Sequence, residues 1–452
     1  MTKKEHKGVF GIIFLTIFLD MVGFSVIFPL FPEMMDHYLS DSKDGIASSL
    51  NSFLENFADS EEPGEENESK GIFRRETVIF GGILGSLFAI LQFICAPIWG
   101  RLSDRIGRKK VLFVTVGLTS AGYLLWAFAS HFWILLLSRV VGGLASGNLS
   151  VATAAIADIT PRNKRAKGMA VVGVAFGLGF IMGPAIGGFC SLYDLTKVSA
   201  LANLGLNPFS LAAFASFALA LLNWGLVIFV FRETLAPEKR SKNNDRPSIF
   251  ELGKIEHPAI RRTCLSYFWY MISFSGMEFT LTFLAVDRFR FEPHEIAWMF
   301  VFIGLTLIFV QGLAVRRLVN PVGERNLAMI GIVLGTIAFF ILSQAGLNNQ
   351  GGEEWKFSNI PLFYAGLLLM SAGVALISPC LTAMTSLFST ENKQGLHLGV
   401  FRSAGSLARA TGPILAAVIY FQFGSATAYL AGACLLALPL IFLAKVPQPD
   451  KS

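Results

Sequence analysis

Charge is scarce in this chain. Of 452 residues, 15% are Asp, Glu, Lys or Arg and 53% are hydrophobic, a balance that excludes a soluble globule of this length. Cysteine is scarce too. Cys95, Cys190, Cys264, Cys380 and Cys434 each fall in an apolar run, with no C-x-x-C spacing, which argues against a disulfide framework or a thiolate zinc site. Motifs for catalysis are missing: there is no G-x-S-x-G elbow, no phosphate-binding P-loop and no H-E-x-x-H. The run Gly177-Leu-Gly179 lacks the preceding strand a nucleotide loop needs. The expectation is a protein that is not an enzyme and carries neither cofactor nor metal.

Long apolar runs are what the chain has in abundance. They predict twelve spans, at about 9–35, 77–99, 111–130, 132–157, 167–190, 209–231, 263–290, 294–315, 326–345, 360–387, 394–420 and 424–445, each near the roughly 20 apolar residues that cross a bilayer. The first run, Phe10 to Phe31, exceeds a signal-peptide core and reads as a retained span. Assigning successive loops to alternate sides puts most of the 37 Lys and Arg on the side of the N-terminus. This asymmetry sets orientation. Both termini are therefore expected in the cytoplasm, and the formal charge of +6 orients helices in the lipid bilayer instead of binding nucleic acid. In a bacterium the site would be the inner membrane.

The longest connection on the inner side, 232–262, divides two six-span halves, 1–231 and 263–452. Gly183-Pro184 in span 5 and Gly412-Pro413 in span 11 stand 229 residues apart, and a weakened copy of an early basic turn follows span 8 as Gly312, Arg316, Arg317, Leu318, Gly323 and Arg325. Repeats of this kind predict a substrate site at midplane between the halves. In the copy Arg316 stands where the first turn has Asp104. An acidic outer loop, 36–76, separates the first two spans; Ile46, Leu50, Phe53, Leu54 and Phe57 recur at helical spacing within it, so a surface amphipathic helix is expected there, with a sequon at Asn67.

Ionisable residues inside spans point to function, because each costs roughly 2.5 to 3.5 kcal/mol at a helix centre. Five qualify: Asp20, Arg139, Glu278, Arg402 and Arg409. In span 11 two arginines cost about 5 to 7 kcal/mol, against roughly 3 to 5 kcal/mol returned by its nine Leu, Ile, Val and Phe. Its polar side must face protein or water. Arg402 and Arg409 share one helical face with Gly405 and Ser406 between them, a cationic stripe that a ligand could approach closely. Two readings fit Asp20 and Glu278: proton carriers whose affinity changes with hydration and nearby arginines, or permanent ion pairs that lock helices. No histidine competes, since His6, His37, His131, His257, His294 and His397 fall in loops or at span ends. Glu33 and Asp287 lie near outer span ends and are expected to be solvated.

Between spans 2 and 3 runs Gly100-R-L-S-D-R-I-G-R-K-Lys110. Its Asp104 and Arg105 sit just before a helix N-terminus, where a carboxylate gains about 0.3 to 1 kcal/mol. With Gly100, Gly107 and Arg108 they form a candidate gate. Span 5 carries Gly179, Gly183, Pro184 and Gly187, small residues that let helices touch backbone to backbone.

These motifs carry a family resemblance. The basic turn resembles the loop signature of the major facilitator superfamily, Arg139 to Gly147 its helix-4 motif, and Gly173 to Gly188 its antiporter helix-5 motif. Asp20 with Gly23, Pro29 and Pro32 is similar to the first helix of tetracycline/proton antiporters. G-N-L-S in span 4 and R-S-A-G-S-L-A-R-A-T-G-P in span 11 resemble an animal branch of tetracycline-transporter-like organic-anion exporters. The resemblance implies an all-α major facilitator fold and alternating access coupled to protons, or to sodium. It also implies a gate in which Asp104 and its neighbours hold one state by contact with the inner end of span 11. Three buried arginines against two buried carboxylates favour an amphiphilic anionic or zwitterionic small molecule, carried by a monomer. A lipid exporter of the same fold is the alternative.

Overall fold

The computed structural model describes residues 3–40, 75–159, 165–198, 204–240, 257–345, 353–389 and 394–449. The expected outer amphipathic helix and the sequon lie outside the described residues.

Among the described residues the regular backbone is helical throughout. The first half holds α1 (Lys3–Ser25), α2 (Phe31–Ser40), α3 (Arg75–Ile106), α4 (Arg108–Ala127), α5 (Phe132–Ala145), α6 (Asn148–Ile159), α7 (Arg165–Cys190) and α8 (Ser210–Phe229). The second holds α9 (Pro258–Phe289), α10 (Pro293–Phe309), α11 (Arg316–Val322), α12 (Glu324–Ala345), α13 (Glu353–Leu387) and α14 (Gln394–Ala444).

Among the described residues ten stretches are long and apolar enough to cross a membrane. Two features reconcile ten with twelve. The stretch Val400–Ala444 is two spans, because Gly424 inside it is non-helical at φ 84°, ψ 166°. The 32-residue α9 is diluted by serines, tyrosines and Glu278, yet it is a spanning helix in length. The chain is thus an all-α membrane protein of twelve transmembrane helices in two six-helix halves. Span 1 is interrupted by a 3-10 turn at Phe28–Leu30, and span 4 breaks between α5 and α6.

The residues gather into two compact units. One comprises Met1–Asn67, Leu87–Arg246 and Glu292–Val301; the other comprises Glu68–Ser86, Pro247–Phe291 and Phe302–Ser452.

In the first unit α1 packs on α7 and α8. Ser25 Oγ donates to Met21 O at 2.8 Å in its own helix and reaches Gly179 O at 3.0 Å across the crossing. A Cβ on Gly183 would sit 2.6 Å from Val22 O, so only glycine allows this approach. The second unit repeats the joint between α9 and α14. Ser275 Oγ reaches Ala408 O at 3.3 Å, and a Cβ on Gly412 would sit 2.7 Å from Ile272 O. Gly179 and Ala408, like Gly183 and Gly412, are 229 residues apart, so the internal repeat extends to individual hydrogen bonds.

The basic turn repeats as well, but in a different register from that expected. Gly107 (φ 107°) and Gly323 (φ 85°) each precede a helix in a backbone conformation that glycine tolerates. Lys109 Nζ donates to Ile228 O at 2.8 Å, and Arg325 Nη2 to Ala444 O at 3.2 Å. Anchored on the two glycines, the residue standing where Asp104 stands is Asn320, not Arg316. A π-helical segment, Val310–Val315, precedes α11, where the first half has unbroken α-helix.

Candidate functional site

Asp20 is half-buried in the last two turns of α1, midway along the span Phe10–Tyr38. Its Oδ1 accepts from Asn148 Nδ2 at 2.8 Å, and the same nitrogen lies 3.2 Å from Thr119 Oγ1 on α4. Asn148 reaches it because span 4 is broken there. Ser146 and Gly147 leave the helix, the indole Nε1 of Trp99 satisfies the freed Leu144 carbonyl at 2.7 Å, and a Cβ on Gly147 would lie 2.5 Å from Trp99 Cβ. The tryptophan therefore wedges the break open. Tyr123 interacts electrostatically with both Asp20 and Arg139.

Arg139 is half-buried on α5. Its guanidinium carbon lies 5.1 Å from the Trp126 ring centroid, a cation-π contact worth about 0.5 to 2 kcal/mol, and its Nε lies 3.3 Å from Ser138 Oγ. An ion pair or proton relay is expected of it from the sequence. No carboxylate lies within 4 Å of it among the described residues.

In the second unit Glu278 on α9 interacts electrostatically with Arg409 on α14, as does Tyr267 with both Arg409 and Arg402. Arg409 is half-buried and Arg402 exposed. The space over Gly405 between them is occupied by protein. Tyr267 Cε1 is 2.5 Å from where a Cβ would be, and its ring stacks on Phe401 at 3.9 Å between centroids and 16° between planes. The smooth stripe read from the sequence is a stripe with a tyrosine laid across it. Asp287 also differs from expectation: its side chain is 9% exposed, 3.7 Å from Arg288 Nε, with the Tyr420 hydroxyl 3.4 Å away. Glu33 is exposed, as expected.

The basic turn is a tight electrostatic node within the first unit. Arg108 is buried; its Nη1 lies 2.7 Å from Asp104 Oδ1 and 2.6 Å from Ser103 Oγ, and its Nε 2.9 Å from Asp158 Oδ2 at the C-terminal end of α6. Glu233, just after span 6, caps α4 from outside. Its Oε1 accepts from the Arg108 N–H at 2.9 Å and its Oε2 from the Lys109 N–H at 3.2 Å. Thr234 and Leu235 donate to Oε1 as well, at 3.1 and 3.0 Å. A Cβ on Gly107 would collide with this carboxylate. Gly100 sits against Ser150 Oγ, and Arg105 is exposed. Asp158 and Glu233 carry no signal in the sequence beyond an acidic residue where a span meets the basic side. Among the described residues no group of three or more His, Cys, Asp or Glu could hold a metal ion.

Comparison with known proteins agrees with this architecture. The Major Facilitator Superfamily family model matches residues 13–352 and 263–452. Major facilitator superfamily domain-containing protein 10 of Bos taurus is 33% identical over 478 residues, covering 100% of this chain and 95% of the relative. Tetracycline resistance protein, class E, of Escherichia coli is 29% identical, covering 89% and 86%. The crystal structure of the human organic anion transporter MFSD10 (TETRAN), 30% identical, matches with a TM-score of 0.73 over 98% of this chain and 100% of that one. With a family model spanning nearly the whole chain and a relative of this identity along its full length, the protein belongs to the major facilitator superfamily.

Proposed function

We propose that this protein is a proton-coupled exporter that works by alternating access, with halves 1–231 and 263–452 joined by the inner linker 232–262 and both termini in the cytoplasm. The cargo is an amphiphilic organic anion or zwitterion, recognised through Arg402 and Arg409. The similarity to an organic anion transporter and to tetracycline resistance proteins supports the class. The observation that carries the coupling is the partner of Asp20. A carboxylate in mid-span is held by a neutral amide at 2.8 Å and not by an arginine, so it can take a proton without breaking an ion pair.

The test is transport of a fluorescent organic anion in proteoliposomes with an imposed pH gradient. Uptake into inside-out vesicles should follow the gradient and collapse with a protonophore. Asp20→Asn and Glu278→Gln should abolish the gradient dependence, and Arg402→Gln with Arg409→Gln should weaken the anion's apparent affinity. Gradient-independent transport by wild-type protein, or coupling that survives both carboxylate changes, would overturn the proposal. Scrambling of labelled lipid in place of anion transport would redirect it to a lipid cargo.

A further inference from the structure

The proposed proton step leaves open what sets the affinity of Asp20, and the broken span 4 supplies a candidate. Asn148 is 3% exposed and opens α6 directly after the break. Its amide could in principle face Asp20 with either its oxygen or its nitrogen. The surroundings decide. The Thr119 hydroxyl donates its only hydrogen to Thr115 O at 3.0 Å, so toward Asn148 it can only accept. The group 3.2 Å away is the Asn148 nitrogen, which also lies 2.8 Å from Asp20 Oδ1, and an ionised Asp20 offers it only acceptors. Among the described residues Asn148 Oδ1, on the far side, is buried with no protein hydrogen-bond partner. The orientation that leaves this oxygen without a protein partner is the one that keeps a donor on Asp20.

A donor fixed in this way favours the ionised carboxylate and opposes its protonation. The other groups near Asp20 do not duplicate that effect. From α4 comes Tyr123, and from α5 Arg139, which acts on Tyr123 and lies on the Trp126 ring. The segment α8 carries no ionisable side chain, α7 carries only Arg165 and Lys167 in its first turn and Cys190 at its last residue, and α6 carries Asp158, which is engaged by Arg108. On α1 itself the remaining ionisable residues, Lys3 to Lys7, belong to its first turns.

We infer that Asn148, oriented by Thr119, is a positioning residue that holds Asp20 in its proton-accepting form, so that the break in span 4 tunes the pH at which coupling operates. This rests on the reading of Asp20 as the proton carrier.

The experiment follows anion transport in proteoliposomes as a function of pH for wild type, Asn148→Ala, Thr119→Val and Asp20→Asn, with thermal melting of each purified variant. Loss of one charge-assisted hydrogen bond should move the midpoint of the pH profile upward by about one unit in Asn148→Ala. Thr119→Val, which frees the amide to turn, should move it the same way by less. Asn148→Gln, which keeps the donor, should restore part of the wild-type midpoint. If Asn148→Ala fails to fold, Thr119→Val and Asn148→Gln carry the test. Asp20→Asn separates the two ideas. If it abolishes pH dependence while neither Asn148 nor Thr119 variants move the midpoint, the positioning role is refuted and the carrier reading stands. If Asp20→Asn leaves the profile intact, the carrier reading falls and this inference falls with it.

Discussion

Replacing Glu233 by glutamine removes a charge while keeping the shape of the side chain. In the wild type one oxygen takes the N–H groups of Arg108, Thr234 and Leu235, and the other takes that of Lys109. A glutamine can offer its oxygen to the first three. Its amide nitrogen then confronts the Lys109 N–H, two donors face to face, and a backbone donor left unpaired costs about 1 to 3 kcal/mol. Losing the negative charge at the start of α4 removes a further ~0.3 to 1 kcal/mol of dipole stabilisation. The sum is about 1.3 to 4 kcal/mol. At about 2 °C per kcal/mol, the lower end for domains of 150–250 residues, the melting temperature of detergent-purified protein should fall by about 3 to 8 °C. Glu238→Gln, at an exposed position in the same segment, is the control and should not shift. A Glu233→Gln protein that melts with the wild type would show that the cap does not hold the helix.

Three other outcomes follow from the packing. Arg108→Ala leaves Asp104 and Asp158 without the buried cation between them and should destabilise by about 3 to 5 kcal/mol, read as a lower melting temperature; Arg108→Lys, which lacks the guanidinium fork, should recover only part. Gly183→Ala and Gly412→Ala should each cost about 1 to 3 kcal/mol through overpacking, seen as loss of the folded peak on size exclusion after mild heating. Ser25→Ala should not rescue the first, since the Val22 carbonyl remains in the way. Trp99→Phe removes the donor on Leu144 O, a bond at an exposed position, and should cost about 0.5 to 1.5 kcal/mol, again by melting temperature.

Much of the fold was legible in the sequence because a bilayer imposes length and apolarity on every span. Pro184 and Pro413, each beside its glycine, marked the repeated crossing before any contact was known. The exceptions have physical reasons. The break at Ser146-Gly147 was hidden because its freed carbonyl is satisfied by Trp99, nearly fifty residues earlier. Asn148 carries no signal of its own, since an asparagine in a small-residue stretch shows no partner until α1 is laid beside it. Asp158 and Glu233 looked like ordinary acidic residues at span ends, for their roles depend on where Arg108 and the first turn of α4 point. Asp287 was misjudged because depth along a helix does not reveal the neighbouring Tyr420 and Arg288. The register that pairs Asn320 with Asp104 rests on Gly107 and Gly323, whose shared positive φ no sequence pattern displays.

The crossing of α1 with α7 and its counterpart, α9 with α14, differ in one instructive way. In the first, Gly187 lies under Val26; in the second, Ala416 lies under Gly276, whose own Cβ would be 2.8 Å from the alanine methyl. The glycine has changed sides while the gap has stayed closed. What the two crossings share is a spacing between two backbones, and either partner can be the one that lacks a side chain.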